Sequence, residues 1–237
     1  MLEIRNLSKS YSKGKKAVDN VTLKINDGEV FGFIGHNGAG KTTTIKCAVG
    51  ILDFEEGEIL INGKSLREDP IGCKQQLAYI PDNPDLYEQM TGVQFLNFIC
   101  DIYNISVEQR NQEINKYADI FEIKKNLGDT ISTYSHGMKQ KLTLISALVR
   151  KPKLLVLDEP FVGLDPKAAH SVKEIMKEMC DFGTSVFFST HVLEVAEKLC
   201  DHIAIIKDGK IVAYGTMDEV KGNSSLEDVF LELVNNE

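Results

Sequence analysis

The sequence predicts an α/β fold in which a parallel sheet covered by helices is joined to an antiparallel β subdomain and carries an inserted α-helical lobe. Three observations predict it. Short apolar runs alternate with helical patterns between residues 151 and 215, which is typical of a parallel sheet with both faces covered. Apolar and polar residues alternate near the start, as in half-buried strands. From residue 87 to residue 150, apolar residues recur at helical spacing instead.

The first strands are predicted from this alternation. Residues 2–4 and 21–25 place every second side chain on one face, whereas residues 30–34 form a continuous apolar run that closes on a glycine, as a buried strand does. A helix is expected over residues 41–51. Residues 58–63 end in Asn-Gly, which is a strong signal for a hairpin.

The second half of the chain alternates strands and helices. Short apolar runs predict strands at residues 154–157, 185–188 and 203–206. Helices are expected between them, from about residues 166–181 and 192–199. This order of elements implies a parallel sheet.

We expect a single domain over residues 1–237. Its α/β core comprises residues 1–86 and 151–215, and the helical lobe comprises residues 87–150. A helical tail is expected over residues 216–237, and within it residues 225–234 are predicted to form an amphipathic helix because their apolar residues recur at helical spacing.

Composition excludes several classes of function. The chain has 237 residues, with 27 lysines and arginines against 35 aspartates and glutamates, so its formal charge is −8. This negative balance disfavours nucleic acid as a main partner. No apolar run approaches the roughly 18–20 residues of a membrane span, and the start lacks the apolar core of a signal peptide. The five cysteines are widely spaced without a C-x-x-C pair, which predicts reduced, mostly buried thiols rather than a metal site.

A phosphate-binding loop is predicted at residues 35–42, where GHNGAGKT matches the pattern G-x-x-x-x-G-K-[ST] between a buried strand and a helix. Glycines let backbone amides approach phosphate oxygens, and the following helix N-terminus favours an anion. Lys41 is predicted to reach the β- and γ-phosphates and the Thr42 hydroxyl to bind Mg²⁺. The alternative is a structural glycine turn. The predicted nucleotide-binding residues here are Gly35, Asn37, Gly38, Ala39, Gly40, Lys41, Thr42 and Thr43.

An acidic pair follows the apolar run at residues 154–157. Asp158 is expected to hold Mg²⁺ directly or through water, because the carboxyl ends of parallel strands are where ligands bind. Glu159 should point to the other side of the extended chain and polarise an attacking water. Alone, the pair could be two solvated acids at a strand end. Its coexistence with the phosphate loop favours a catalytic role.

A third segment, SHGMKQ at residues 135–140, lies shortly before the acidic strand. Together with the other two motifs, it resembles the signature of the nucleotide-binding subunits of ATP-binding-cassette (ABC) transporters, and the resemblance covers nearly the whole chain. It implies a P-loop NTPase core of RecA-like fold that binds ATP and Mg²⁺ and hydrolyses ATP. Ser135 and Gly137 are implied to contact the γ-phosphate held by a second subunit, with Gln140 in the same signature. Without the family, Ser135 would be only a helix N-cap.

The resemblance implies three further site residues. Tyr11 stands where the family stacks an aromatic ring on adenine, although a tyrosine near a turn could also be structural. His191 matches the switch histidine that contacts the γ-phosphate and positions Glu159 and water; a structural histidine is the alternative. Asp165 matches a loop that communicates across a dimer, whereas Leu-Asp-Pro taken alone is a helix start.

Three departures from the family pattern stand out. Asp82 replaces the glutamine that usually follows Ile-Pro, and its carboxylate could still approach Mg²⁺. His136 replaces the first signature glycine, and Tyr134 replaces the usual leucine. Residues 161–162 are Phe-Val, where the family often has small polar residues. The predicted catalytic residues are Glu159, His191 and Lys41, and the predicted magnesium ligands are Thr42, Asp82 and Asp158.

The finer resemblance is to ATPase subunits of drug, antibiotic or lipid exporters whose membrane part is a separate chain. It depends on residues 135–140 and on the tail at residues 225–234. The expected partners are an integral membrane permease and a second ATPase subunit, either a copy or a paralogue, at the cytoplasmic face of the cell membrane. The alternatives are an ATPase of a soluble assembly system such as iron–sulfur scaffold loading, a catalytically silent regulator, and a phosphate-loop small-molecule kinase. The last is disfavoured because none of the four arginines lies in a motif.

Overall fold

The computed structural model describes residues 1–12 and 14–235, and over these residues the chain forms two sheets with helices packed around them. The strands are β1 (Leu2–Ser12), β2 (Lys15–Ile25), β3 (Val30–Ile34), β4 (Glu56–Ile61), β5 (Lys64–Ser65), β6 (Leu77–Ile80), β7 (Leu154–Asp158), β8 (Ser185–Thr190), β9 (His202–Lys207) and β10 (Lys210–Thr216). The α-helices are α1 (Lys41–Ala48), α2 (Pro70–Gln76), α3 (Gly92–Ile102), α4 (Val107–Ile120), α5 (His136–Leu148), α6 (Pro166–Asp181), α7 (Leu193–Leu199), α8 (Met217–Lys221) and α9 (Leu226–Asn235).

The smaller sheet is antiparallel, with strand order β2-β1-β4-β5. Ile4 of β1 pairs with Leu23 on one side and with Ile59 on the other, so apolar residues meet on the inner face. The alternation in the sequence fixes this register, because a slip of one residue would turn every apolar side chain to solvent.

The larger sheet has the order β10-β9-β3-β8-β7-β6. Five strands are parallel, and β10 pairs antiparallel with β9 at the edge. Every residue of β3, β7 and β8 is buried, as expected for central parallel strands with both faces covered. The loops that follow β3, β6, β7 and β8 therefore share one edge of the sheet, where the predicted site residues lie.

Two apolar clusters lie on opposite faces of this sheet. Leu155 and Leu157 belong to the cluster shared with α3 to α6, whereas Val156 belongs to the cluster shared with α1 and the smaller sheet. Side chains alternate between the faces because the period of a strand is two residues. The sheet thus separates a helical-lobe side from a phosphate-loop side.

Several helix starts are capped by side chains, and among them the cap at Ser135 was expected from the sequence. Thr91 and Gln94 form a capping box at α3, Ser106 caps α4 and Ser135 caps α5. The helix expected over residues 41–51 is shorter and ends at Ala48. The structure also adds α2 and β6, which the sequence analysis did not assign. Within the described residues, no helix has the length and apolar character needed to cross a membrane.

Candidate active site

The loop between β3 and α1 follows a tight path that only glycine allows at two positions. A Cβ on Gly35 would lie 2.6 Å from the backbone oxygen of Ile206. Gly40 has a φ of +111°, and a Cβ there would lie 2.6 Å from the backbone oxygen of Ala17. The loop therefore packs directly against β2 and β9, with its backbone free of side chains where it is closest to them.

Lys41 is the first residue of α1 and is only 6% exposed. Its Nζ donates hydrogen bonds to the backbone oxygens of Gly35 at 2.6 Å and of His36 at 3.2 Å. The same Nζ lies 3.4 Å from Oε1 of Glu159. The fold thus holds a buried ammonium between the phosphate loop and the end of β7.

Asp158 ends β7 and is completely buried. Its Oδ1 accepts a hydrogen bond from the Ser189 hydroxyl at 2.5 Å, while its Oδ2 has no hydrogen-bond partner among the residues described. Burial raises the pKa of the Asp158 carboxyl. The neighbouring hydroxyls of Ser189 and Thr42 partly offset the rise, and the charges of Asp82 and Glu159 add to it.

This environment fits a divalent cation. Mg²⁺ prefers oxygen ligands, and here a buried carboxylate has one free oxygen beside a threonine hydroxyl. A cation would offset the cost of burying the Asp158 carboxylate. The residues that could hold Mg²⁺ are therefore Asp158 and Thr42, with Asp82 nearby.

Glu159 follows Asp158 in a turn. Its φ is +49°, in the left-handed region, so a turn rather than strand alternation separates the two carboxylates. Oε2 of Glu159 lies 3.0 Å from Nδ1 of His191, which is half exposed. The carboxylate is thus placed between the Lys41 ammonium and the imidazole, a suitable position for a general base.

Ser189 is a site residue that the sequence analysis did not identify. It is completely buried in β8 and lies opposite Asp158 in the strand pairing. Its hydroxyl donates to Asp158 and accepts the backbone N–H of Glu159 at 3.0 Å, so one side chain orients both acids. The available signal is a pair of hydroxyl residues, Ser189 and Thr190, at the carboxyl end of an apolar strand just before His191.

Tyr11 and Asp82 lie at the margins of this cluster. Tyr11 is 65% exposed, and its hydroxyl is 3.1 Å from Oγ1 of Thr43, which places the ring beside the first turn of α1. Asp82 is exposed two residues after β6, and one of its carboxylate oxygens accepts the N–H of Asn83 at 2.8 Å. Its charge contributes to the raised pKa of Asp158.

The signature residues lie at the start of α5. Ser135 is exposed and accepts the N–H of Met138, and Gly137 is half-buried beside Gly163. Gln140 lies one turn further along α5 and points into the core. It is 0% exposed in this single chain, and its amide has no partner within the described residues.

Asp165 begins α6, where it accepts the N–H of Ala168 and the Nζ of Lys141 at 2.8 Å. No hydrogen bond or ion pair among the described residues joins it, Ser135 or Gly137 to the phosphate loop. The structure thus forms two groups. One comprises Lys41, Thr42, Asp158, Glu159 and His191, and the other comprises Ser135, Gly137 and Asp165.

The fold and this site define an ATPase cassette of the phosphate-loop class. Comparison with known proteins gives the family: residues 18–162 match the ABC transporter family. The chain is 36% identical to the ABC-type transporter ATP-binding protein EcsA of Bacillus subtilis, over 98% of this chain and 96% of that protein. It is 34% identical to the linearmycin resistance ATP-binding protein LnrL of the same organism, over 93% of this chain and 70% of that protein. The chain therefore belongs to the ABC transporter ATP-binding proteins.

Solved structures agree with this assignment. An ATP-binding subunit of an ABC transporter, 35% identical, superposes with a TM-score of 0.94 over 98% of this chain and 99% of that one. A dimeric ATP-binding cassette in a post-hydrolysis state bound to ADP and Pi has a TM-score of 0.84 over 92% of this chain and 99% of that one. Its 22% identity shows the fold alone. The chain is the ATP-binding subunit of an ABC transporter, with ATP hydrolysis as its expected activity and Mg²⁺ as the usual partner ion.

Proposed function

We propose that two ATPase chains, two copies or one copy with a paralogue, close head to tail on ATP and power export through a separate integral membrane permease. The observation that carries this proposal is the division of the site. The phosphate loop and the acids lie together, whereas the exposed Ser135 and the neighbouring Gly137 lie outside that group. In this proposal a second chain adds the missing half.

The first half binds the triphosphate. In this proposal the glycine-rich loop and Lys41 hold the phosphates, and Tyr11 stacks on the adenine. Thr42, Asp158 and Asp82 would hold Mg²⁺, which when bound would neutralise charge on the phosphate oxygens. Stacking on an aromatic ring is worth about 1–3 kcal/mol per base in nucleic-acid complexes.

The same half also provides the base. Glu159 accepts the proton of the attacking water through Oε2, and His191 keeps that oxygen in place from 3.0 Å. The Ser189 hydroxyl accepts a hydrogen bond from the backbone N–H of Glu159 and so holds this residue in position. A positioned general base of this kind contributes about 10²–10⁴ in rate.

The second half comes from the partner chain. Ser135 and Gly137 of one chain meet the γ-phosphate bound to the other, and the loop at Asp165 lies across the interface. Because these contacts exist only in the closed dimer, ATP shifts the equilibrium toward closure, and hydrolysis removes that preference.

The proposed docking surface for the permease is the helical lobe, residues 87–150. In the proposed division of the chain, residues 1–86 and 151–215 form the ATP-binding core and residues 216–237 form a tail. An exposed apolar patch on the lobe supports this. Phe98 stacks edge-on against Tyr87 at 5.7 Å, and Ile102 and Val107 are exposed beside the same helices. Exposed apolar patches of this kind mark interaction sites. The permease would keep the chain at the cytoplasmic face of the cell membrane.

Export as the direction of transport is supported by relatives. LnrL is named as a linearmycin resistance protein, and outward transport of a compound is one way in which a transporter confers resistance to it. The tail resemblance noted in the sequence points the same way.

The decisive experiment is ATP-driven dimerisation of Glu159→Gln, which keeps the shape of the base and stops hydrolysis. We expect a monomer without nucleotide and a dimer with ATP and Mg²⁺ by light scattering. The matched control is Glu159→Gln combined with Lys41→Ala, which should stay monomeric because it lacks the phosphate-binding ammonium. A Glu159→Gln chain that remains monomeric at saturating ATP would refute the proposal.

A further inference from the structure

His136, the first residue of α5, packs directly onto the loop that follows Glu159. A Cβ on Gly163 would lie 2.5 Å from Cδ2 and 2.9 Å from Nε2 of the His136 ring. Gly163 also has a φ of +79°, which glycine adopts without strain. The imidazole of the exposed His136 therefore lies over Gly163, and a larger residue there would force the ring to shift.

Two further contacts join the same segments. A Cβ on Gly137 would lie 2.9 Å from the backbone oxygen of Gly163, so the first turn of α5 approaches that loop backbone to backbone. One turn later, Lys141 donates to Asp165 at 2.8 Å, and this lysine is mostly buried. The first turns of α5 therefore contact this loop at two places, Gly163 and Asp165.

The loop itself is compact and begins at the proposed base. The N–H of Val162 donates to the backbone oxygen of Glu159 at 3.2 Å, and the N–H of Leu164 to that of Phe161 at 3.4 Å. A shift of the loop would therefore be transmitted to the backbone of Glu159. The two segments serve different nucleotides in the proposed dimer, since Ser135 faces the partner's ATP and Glu159 faces its own.

We propose that His136 is a positioning residue that fastens the Ser135–Gly137 segment to the 160–165 loop, so that closure onto the partner's nucleotide and placement of this chain's own base occur together. This inference rests on the proposed head-to-tail dimer. His136 departs from the glycine usual in the family signature, and a glycine has no side chain to make this contact.

Removing the ring frees the loop without touching the phosphate site. The freed loop must then be ordered when the dimer closes, which weakens dimerisation but leaves binding of ATP to the monomer unchanged. His136→Ala removes the ring without adding glycine flexibility at the helix start. His136→Asn keeps a flat polar group above Gly163 and should restore part of the effect. His170→Ala, an exposed histidine on α6, is the matched control.

The first measurement follows amide hydrogen exchange of residues 161–164 in the nucleotide-free monomer. We expect these amides to exchange about three- to tenfold faster in His136→Ala, at an unchanged Tm, and to be unaffected by His170→Ala. The second measures the ATP concentration for half-maximal dimerisation in the Glu159→Gln background. We expect it to rise about three- to tenfold with His136→Ala and less with His136→Asn.

A double-variant cycle tests the contact itself. Gly163→Ala should weaken dimerisation more in the presence of His136 than in His136→Ala, because the clash with the ring adds to the backbone strain that an alanine at this positive φ has in both backgrounds. Additive effects, or exchange at residues 161–164 that does not respond to His136→Ala, would overturn the inference. If Glu159→Gln never dimerises, the proposed function fails, whereas the exchange measurement on the monomer still decides whether His136 holds the loop.

Discussion

Ser189→Ala is the substitution that most directly tests how the acids are held. It removes one hydroxyl group and no packing volume beyond that atom. Two bonds are lost: the one donated to Asp158 at 2.5 Å and the one accepted from the N–H of Glu159 at 3.0 Å. All three residues are wholly or largely shielded from water. Solvent therefore cannot easily replace either bond.

The expected cost can be worked from these contacts. A hydrogen bond to a charged group contributes about 1.5–3 kcal/mol, and leaving a buried donor unpaired costs about 1–3 kcal/mol. We expect the free energy of unfolding to fall by about 3 kcal/mol. Removing a group that orients a metal ligand typically lowers metal affinity or activity 10–100-fold. We therefore expect ATPase activity to fall on the order of 10–100-fold and the Mg²⁺ concentration needed for activity to rise.

Ser185→Ala is a matched control in the same strand. Ser185 is equally buried, and its hydroxyl donates to the backbone oxygen of Asn26 at 2.8 Å and accepts the N–H of Gly28 at 3.0 Å. It lies at the amino end of β8, away from the acids. We expect its loss to cost about 1–3 kcal/mol of stability and to leave the Mg²⁺ dependence of turnover unchanged.

The assay combines urea unfolding, followed by circular dichroism, with steady-state ATPase titrations in ATP and in Mg²⁺. The two serines should lower stability to a similar degree but separate in catalysis. If Ser189→Ala keeps the wild-type Mg²⁺ dependence and turnover, the positioning role of its hydroxyl is wrong. Equal catalytic losses for both serines would show that the effect is one of general stability.

Three further outcomes are expected. Tyr11→Ala should raise the Kd for ATP by about 5- to 150-fold while turnover at saturating ATP is kept, because stacking binds ground and transition states alike; fluorescent-nucleotide titration and kinetics check this. The pKa of Asp158 is raised in the folded chain, so between pH 3.8 and that raised pKa the folded chain binds more protons than the unfolded chain. The stability of the nucleotide-free chain should therefore fall as the pH rises through this range. Asp158→Asn should lose this part of the pH dependence in thermal melts. Finally, the Lys41→Ala chain and the Ser135→Arg chain should each be inactive alone and recover ATPase activity when they are mixed. At equal concentrations about a quarter of the composite sites should be intact. No recovery would argue against a shared site.

The sequence was sufficient for the parts of the site that depend on neighbouring residues. The glycine pattern at residues 35–42 has one physical solution between a buried strand and a helix, and the structure confirms the strand, the loop and the helix start at Lys41. The acids at the end of β7 were predicted for the same reason, since an apolar run that ends in carboxylates delivers them to the sheet edge.

Features that depend on partners distant in sequence were not predicted. Ser189 orients the acids only because β8 pairs with β7, and no local pattern reports that pairing. The left-handed backbone of Glu159, whose N–H bonds to Ser189, also departs from the strand alternation assumed for it. The burial of Gln140 is another such feature, since its position in the signature does not reveal which side of α5 faces the core.

The six-stranded sheet separates the two apolar clusters, and neighbouring residues of one strand belong to different clusters. Substitutions among the lobe side chains can therefore accumulate without disturbing the packing beneath α1, because distant sites without shared partners behave additively. During evolution the lobe could change to fit a new membrane protein while the phosphate-loop side of the sheet stays unchanged. If the lobe binds the permease as proposed, this separation would let membrane partners diversify while the ATP-binding core stays the same.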